Sequence, residues 1–362
     1  MTVATRNYII SRRVDSAHHP VLGAIDLGTN SCRLLVASVN IASLKKTFFR
    51  RRPNLAGWKI IDSFAKIVRL GEGLHKNSEL SPEAIQRALD ALKTCRKKMD
   101  FQGVTYLRAV ATEACRRAKN GYVLVERAKQ ELDLDIEIIN GQEEARLALT
   151  GCAAILNPVI PYAVVFDIGG GSTEVIWLRL LKEHRRRPGY PIPFEVIDSI
   201  SLPYGVVTVS ESYAQFASSP EIHNDIRIHV YQELMNFVER NQIQSHIQDH
   251  SIQLIGSSGT VTTLAAVQAG LNHYERRLID GLFITGSDLH QVSQKILNMS
   301  VQERIHHPCI GAGRADLVVA GTAILQGICD ALPIPQLRVA DRGVREGILS
   351  ELLVKIQNLN SQ

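Results

Sequence analysis

Asp167 and Glu174 stand on either side of three consecutive glycines, Gly169, Gly170 and Gly171, which run on into Ser172 and Thr173. Glycines lack Cβ atoms, can take positive φ, and let an anion come close to main-chain N–H groups. Two carboxylates beside such a cradle offer the hard oxygen ligands that Mg²⁺ takes together with phosphate oxygens. The chemistry suggested is the handling of a phosphate chain with a divalent cation. The pattern occurs twice. Near the start, Asp26 precedes Gly28, Thr29, Asn30 and Ser31, and residues 25–31 align with residues 166–172 as apolar, Asp, apolar, Gly, two small residues and a hydroxyl. A third turn, Gly256, Ser257, Ser258, Gly259 and Thr260, follows an apolar run and leads into another. It reads as a strand, a turn and a helix whose N-terminus can receive an anion.

Such residues need strands and helices to hold them. Apolar, β-branched runs flank both Asp–Gly turns, so residues 21–39 and 162–179 read as hairpins. Residues 40–58 form a basic, Pro/Gly-punctuated excursion, and 59–70 alternate as a strand. Ser81-Pro82-Glu83 opens a helix reaching about Met99, with serine at the cap, proline in the first position and glutamate in the first turn. Strands at 104–110 and 136–139 bracket a helix at 121–132, an alternation that indicates an α/β lobe. An amphipathic helix at 142–154 leads into the second hairpin, where it would act as a hinge between two lobes. Beyond it come a basic, Pro-rich insertion at 182–193, a strand at 194–202 and helices near 205–217 and 224–242. A strand at 252–256 and helices at 288–298, 314–332 and 344–357 complete the chain.

The 362 residues suffice for two domains with ample core, and 45% hydrophobic against 21% charged is a globular composition. No apolar run reaches the ~18 residues needed to span a bilayer, and no signal-peptide core stands at the N-terminus. Residues 1–20 read as a loose leader. The six cysteines show no paired spacing, which fits reduced thiols in a cytoplasmic protein. The net charge of +5 gathers in clusters at Lys45, Lys46 and Arg50 to Arg52, at Arg96 to Lys98, at Arg116 and Arg117, and at Arg185 to Arg187. No aromatics interleave with them, as stacking on nucleic acid would require, so the expected role is steering of a phosphate chain. A Walker lysine loop and a Gly-x-Ser-x-Gly elbow are missing, and Gly311-Ala312-Gly313 lacks a strand–helix setting. His246 and His250 have metal spacing without a third ligand, which reads as a solvent-facing helix.

Taken in order, the three turns resemble the phosphate-1, phosphate-2 and adenosine motifs of the actin/Hsp70/sugar-kinase superfamily. Further segments narrow the resemblance to the exopolyphosphatase/guanosine pentaphosphate phosphohydrolase (Ppx/GppA) family. These are residues 68–74 (VRLGEGL), 109–114 (AVATEA) with Arg116, 136–146 (IEIINGQEEAR), 314–316 (RAD) and 342–347 (RGVREG). The resemblance covers roughly residues 21–350. It implies a two-lobed, actin-like α/β fold with ribonuclease H-like lobes. Residues 21–140 with 341–362 would form the first lobe, and residues 141–340 the second, the last helix packing back on the first.

By the same resemblance, Glu144 is the general base, with Glu143 as the fallback. Asp26, Asp167 and Glu174 would hold Mg²⁺, or Mn²⁺. Phosphate would be cradled by Gly28, Thr29, Asn30, Ser31, Gly169, Gly170, Gly171, Ser172 and Thr173, and farther along by Gly256, Ser257, Ser258, Gly259 and Thr260. Arg69 and Arg116 match basic positions of the family motifs and would clamp phosphate oxygens. The implied activity is removal of the terminal phosphate of inorganic polyphosphate. The alternatives are a guanosine pentaphosphate 5′-phosphohydrolase, a kinase or chaperone-type ATPase, and a non-catalytic alarmone sensor. A homodimer without nucleic-acid or membrane partners is expected. Larger family members add a C-terminal phosphohydrolase-like domain; this sequence ends before such a segment, which bears on long-chain processivity.

Overall fold

The computed structural model describes residues 9–10, 20–39, 58–181, 193–212 and 220–359. The basic clusters at Lys45 to Arg52 and Arg185 to Arg187 lie outside these residues, as does most of the expected leader. Two six-stranded sheets share one plan. The first contains β1 (Ile9–Ile10), β2 (Val21–Leu27), β3 (Ser31–Val39), β4 (Trp58–Ile67), β5 (Tyr106–Ala111) and β6 (Ile136–Ile138). The second contains β7 (Tyr162–Ile168), β8 (Thr173–Leu180), β9 (Phe194–Leu202), β10 (Ile252–Ser257), β11 (Phe283–Thr285) and β12 (Gln336–Ala340). In each, three antiparallel strands form a meander (β2–β3–β4 and β7–β8–β9), and parallel strands extend the sheet beyond the first of them. The duplicated turns therefore occupy equivalent places in two ribonuclease H-like lobes, and the expected two-lobed α/β fold is the one observed.

Local chemistry sets the helices that matter. Ser81 accepts a hydrogen bond from Ala84 N at 3.1 Å with Pro82 in the first turn, so the helix Pro82–Gln102 starts where its sequence signals it. Together with Gly121–Leu132 it covers one face of the first sheet, where Ile85, Leu89, Leu92 and Leu124 are buried. The helix Gly141–Cys152 is capped by Asn140, whose side chain accepts from Glu143 N at 2.8 Å. Leu147 and Ala148 of this helix pack with the first sheet, while Ala145, Leu149 and Cys152 pack with the second. It is thus wedged into both cores. The last helix, Val344–Leu359, lies on the first sheet and crosses the inter-lobe helix closely: a Cβ on Gly347 would stand 2.0 Å from Leu147 O.

Other elements depart from the sequence reading. The apolar helix expected from Arg314 begins at Leu317, leaving Arg314 to Asp316 as the turn before it. The helix near 205–217 is described over Val206–Ser212, and residues 213–219 lie outside the described chain. The His246 ring lies tilted by 39° against Tyr162 with centroids 4.0 Å apart, and its Nδ1 contacts Ser251 Oγ, so it is half-buried rather than facing solvent as expected. No described helix is long and apolar enough to cross a membrane.

Candidate active site

The two Asp–Gly hairpins point at each other. Gly28 N donates to Ser31 O at 2.9 Å and Gly169 N to Ser172 O at 2.8 Å, which closes both turns the same way. Register places Asp26 opposite Arg33 on one hairpin and Asp167 opposite Glu174 on the other. None of the hairpin glycines has positive φ; among the described glycines that conformation belongs to Gly73, Gly103, Gly270, Gly281 and Gly311. The hairpin turns therefore do not use the positive φ that glycine permits. The glycines serve close approach instead: a Cβ on Gly170 would lie 2.9 Å from Thr29 Cβ, and one on Gly171 2.6 Å from Glu113 Cγ. Gly205, from the adjoining loop, packs so tightly that a Cβ would lie 2.3 Å from Gly170 O.

Between the hairpins opens a cleft of about 120 Å³. Asp26, Gly28, Thr29, Asn30 and Ser31 line it from the first lobe, and Asp167, Gly169, Gly170, Gly171 and Ser172 from the second. Ser258, Gly259 and Thr260 close one end, where the helix Gly259–Gln268 starts, and Glu144 projects in from the inter-lobe helix. Ser258 caps that helix, accepting from Thr260 N and Val261 N at 3.1 and 3.2 Å, with φ at 133°. A non-glycine residue held there is strained, a feature that gathers at functional sites.

Two arginines that sequence reasoning gave no role complete the cleft. Arg33 arrives from β3 and Arg314 from the turn before Leu317–Ala331, and both line the space. A Cβ on Gly259 would lie 3.6 Å from Nη2 of each, so guanidinium groups from opposite lobes converge on one helix N-terminus. Burial, then the charge of Arg33, pushes Arg314 below its ordinary value. Two crowded cations at a positive helix end make a place for an anion. The signal was present: Arg33 holds the position in the first hairpin that Glu174 holds in the second, and Arg314 opens the segment 314–316.

The carboxylates are short of water. Burial pushes Glu144 up to about 8, helped by the nearby charge of Glu174 and opposed by Arg116, whose Nη1 donates to Glu144 Oε2 at 3.2 Å. Asp167 is pushed up to about 7 by burial and then by Glu174. Burial also raises Asp26 and Glu174. Glu174 itself does not line the cleft; it sits behind it, accepting from Ser172 Oγ at 2.6 Å and Ser201 Oγ at 3.0 Å. Among the described residues no three acidic, histidine or cysteine side chains converge as a ready metal cage. Magnesium needs none, since it keeps waters and takes one or two carboxylates plus substrate oxygens. Asp26 and Asp167 fit that use, and Asn30 Oδ1, buried and without a hydrogen-bond partner, adds a free oxygen at the same wall.

Other expected residues lie elsewhere. Glu143 turns away from the cleft, because its carboxylate accepts from Arg108 Nη2 at 2.7 Å and Arg146 Nε at 2.8 Å. Arg108 is almost wholly buried and also pairs with Glu137 and Glu351, so this group fastens the inter-lobe helix to the first sheet and the last helix. Arg69 stands outside the cleft, paired across the lobes with Asp316 at 3.0 Å. Arg116 lies behind the lining, held by Ile139 O, Glu113 and Glu144. Thr173 Oγ1 donates to Tyr204 O, Ser257 Oγ to Arg342 O, and Gly256 packs on the Phe166 ring, so these three support the turns from below.

The model of the Ppx/GppA phosphatase family matches residues 50–356. Exopolyphosphatase 2 of Mycobacterium tuberculosis is 29% identical over 346 residues, covering 91% of this chain and 98% of that protein. The crystal structure of the Aquifex aeolicus member of the Ppx/GppA protein family superposes with a TM-score of 0.70 at 26% identity, covering 93% of this chain and 98% of the other. An exopolyphosphatase structure from Cytophaga hutchinsonii gives a TM-score of 0.75 at 23% identity over 92% of this chain and 98% of the other, a likeness of fold.

Proposed function

The chain belongs to the Ppx/GppA phosphatase family and is a phosphoanhydride hydrolase, and from that premise we propose that it is an exopolyphosphatase acting on inorganic polyphosphate. The observation that carries this reading is Glu144, a buried carboxylate on the inter-lobe helix, facing a cleft walled by two phosphate-type hairpins and by Arg33 and Arg314. Phosphoryl transfer needs positioning and charge neutralisation, with a carboxylate to orient or deprotonate water. The terminal phosphoryl group sits between the hairpin turns, against their main-chain N–H groups and the hydroxyls of Thr29 and Ser31. The following phosphates run toward Gly259, Arg33 and Arg314. Glu144 takes a proton from a water aligned with the terminal P–O–P bond; the water oxygen bonds to phosphorus, the bridging oxygen leaves with the shortened chain, and orthophosphate departs. Asp26 and Asp167 would hold Mg²⁺, or Mn²⁺, which when bound would neutralise charge on the phosphate oxygens. Glu174 acts from behind, raising the proton affinity of its neighbours.

The walls support an inorganic chain over a nucleotide. The apolar lining consists of Ile168, Val206, Leu317, Val318 and Val344, with no aromatic ring among the described lining residues on which a purine could stack. All six cysteines are free, which supports a reducing, cytoplasmic setting. The lobes are taken as residues 21–140 with 341–362 and residues 141–340, a division supported by the last helix lying on the first sheet. The test is orthophosphate release with Mg²⁺ from long polyphosphate, tripolyphosphate, guanosine pentaphosphate and ATP. Polyphosphate turnover exceeding the nucleotides supports the reading; a preference for guanosine pentaphosphate or ATP overturns it.

A further inference from the structure

Glu113 has no role in the scheme above, yet its carboxylate lines the cleft. It opens the short helix Glu113–Arg117, and its side chain is 16% exposed. One oxygen accepts from Arg116 Nη2, and the other lies 3.7 Å from Arg117 Nε. Its Cγ touches the opposite lobe, where a Cβ on Gly171 would lie 2.6 Å away. Arg116 spends its other donor, Nη1, on Ile139 O at 2.8 Å and Glu144 at 3.2 Å. Hence one edge of Arg116 already holds an anion, and that anion is Glu113, whose stem packs on the second phosphate hairpin.

We propose that Glu113 is a surrogate anion that stands between Arg116 and the cleft and yields the Arg116 edge to an incoming phosphoryl group, which makes it a determinant of substrate affinity. This rests on the phosphate-chain reading of the cleft. A bound phosphoryl group and a carboxylate cannot share one guanidinium edge without like-charge repulsion, so Glu113 must swing toward Arg117 when substrate enters. The swap sets a threshold: a polyanion with several phosphates displaces Glu113 because Arg33 and Arg314 hold its remainder, whereas single orthophosphate has no such second grip. Product therefore leaves as Glu113 returns.

The experiment compares wild type, Glu113→Gln and Glu113→Ala for tripolyphosphate hydrolysis with Mg²⁺, and for tripolyphosphate and orthophosphate binding by calorimetry without divalent cation. Removing one negative charge beside the bound phosphoryl group tightens binding and lowers KM by about tenfold, with a smaller change in kcat. Orthophosphate gains at least as much, and product inhibition becomes stronger. Glu113→Asp, which keeps the charge, stays near wild type. Unchanged or weaker binding in whichever neutral variant folds overturns the proposal. So does a kcat collapse matching Glu144→Gln, which would place Glu113 in the chemical step. If wild type hydrolyses no phosphate chain, the hydrolase reading fails, while tighter tripolyphosphate binding in Glu113→Gln still supports the surrogate.

Discussion

Replacing Glu144 by Gln should do two things at once: abolish turnover and stabilise the fold. Burial, then the charge of Glu174, moves Glu144 from 4.5 to about 8. A carboxyl whose folded value is raised contributes stability that is fully present below its unfolded value and is lost as pH rises to the folded one. The window for Glu144 therefore runs from about pH 4.5 to about pH 8. At ~1.4 kcal/mol per pKa unit, its ionisation between pH 5 and pH 8 costs the fold on the order of 3 kcal/mol. Glutamine cannot ionise and keeps an oxygen for Arg116, so it escapes that cost. With an unfolding entropy of roughly 2.1 cal/mol/K per residue over this chain, 3 kcal/mol is about 4 °C. Scanning calorimetry without divalent cation should show Glu144→Gln melting about 4 °C above wild type at pH 8 and nearly level with it at pH 5. Its kcat should fall by about 10²–10⁴. An equal Tm difference at both pH values would refute the picture of a crowded, buried carboxylate. A variant with undiminished kcat would remove Glu144 from catalysis.

Three other perturbations probe the remaining walls. Arg314→Ala should raise KM for polyphosphate by about 10–100-fold, as expected for losing charge-assisted hydrogen bonds, with less effect on kcat; initial rates at fixed Mg²⁺ decide, and an unchanged KM counts against the convergence on Gly259. Asp167→Asn should raise the Mg²⁺ concentration for half-maximal rate several-fold, and an unaltered metal dependence would dismiss Asp167 as a ligand. Gly205→Ala drives a methyl into Gly170 O, 2.3 Å away, where only backbone can yield; a loss of about 1–3 kcal/mol in denaturant unfolding is expected, and wild-type stability would show that the hairpin has slack.

The hairpins were legible in the sequence because their signals are local. Alternating apolar runs, an Asp, a glycine turn and a repeat of the same order lie within about 15 residues each. The same holds for Ser81 and Pro82 at a helix start and for β9, whose bounds agree with the expected strand at 194–202. What stayed hidden depends on long-range closure. Arg33 and Arg314 meet only when two lobes fold shut, and no spacing predicts it. Glu143 and Glu144 are adjacent and alike; only the partners Arg108 and Arg146 decide which one turns away. Glu174 looked like a ligand beside a turn, but the hydroxyls of Ser172 and Ser201 hold its carboxylate behind the wall. Of the two uses the sequence offered for the glycines, the fold makes no use of positive φ and uses the absent side chains, where two hairpins touch.

The most direct test is the product distribution from tripolyphosphate and a defined longer polyphosphate under single-turnover conditions with Mg²⁺, wild type against Glu144→Gln. The account predicts orthophosphate and a chain one unit shorter from wild type, and intact substrate that remains bound in the variant. Internal cleavage fragments, or the same orthophosphate burst from Glu144→Gln, would contradict it.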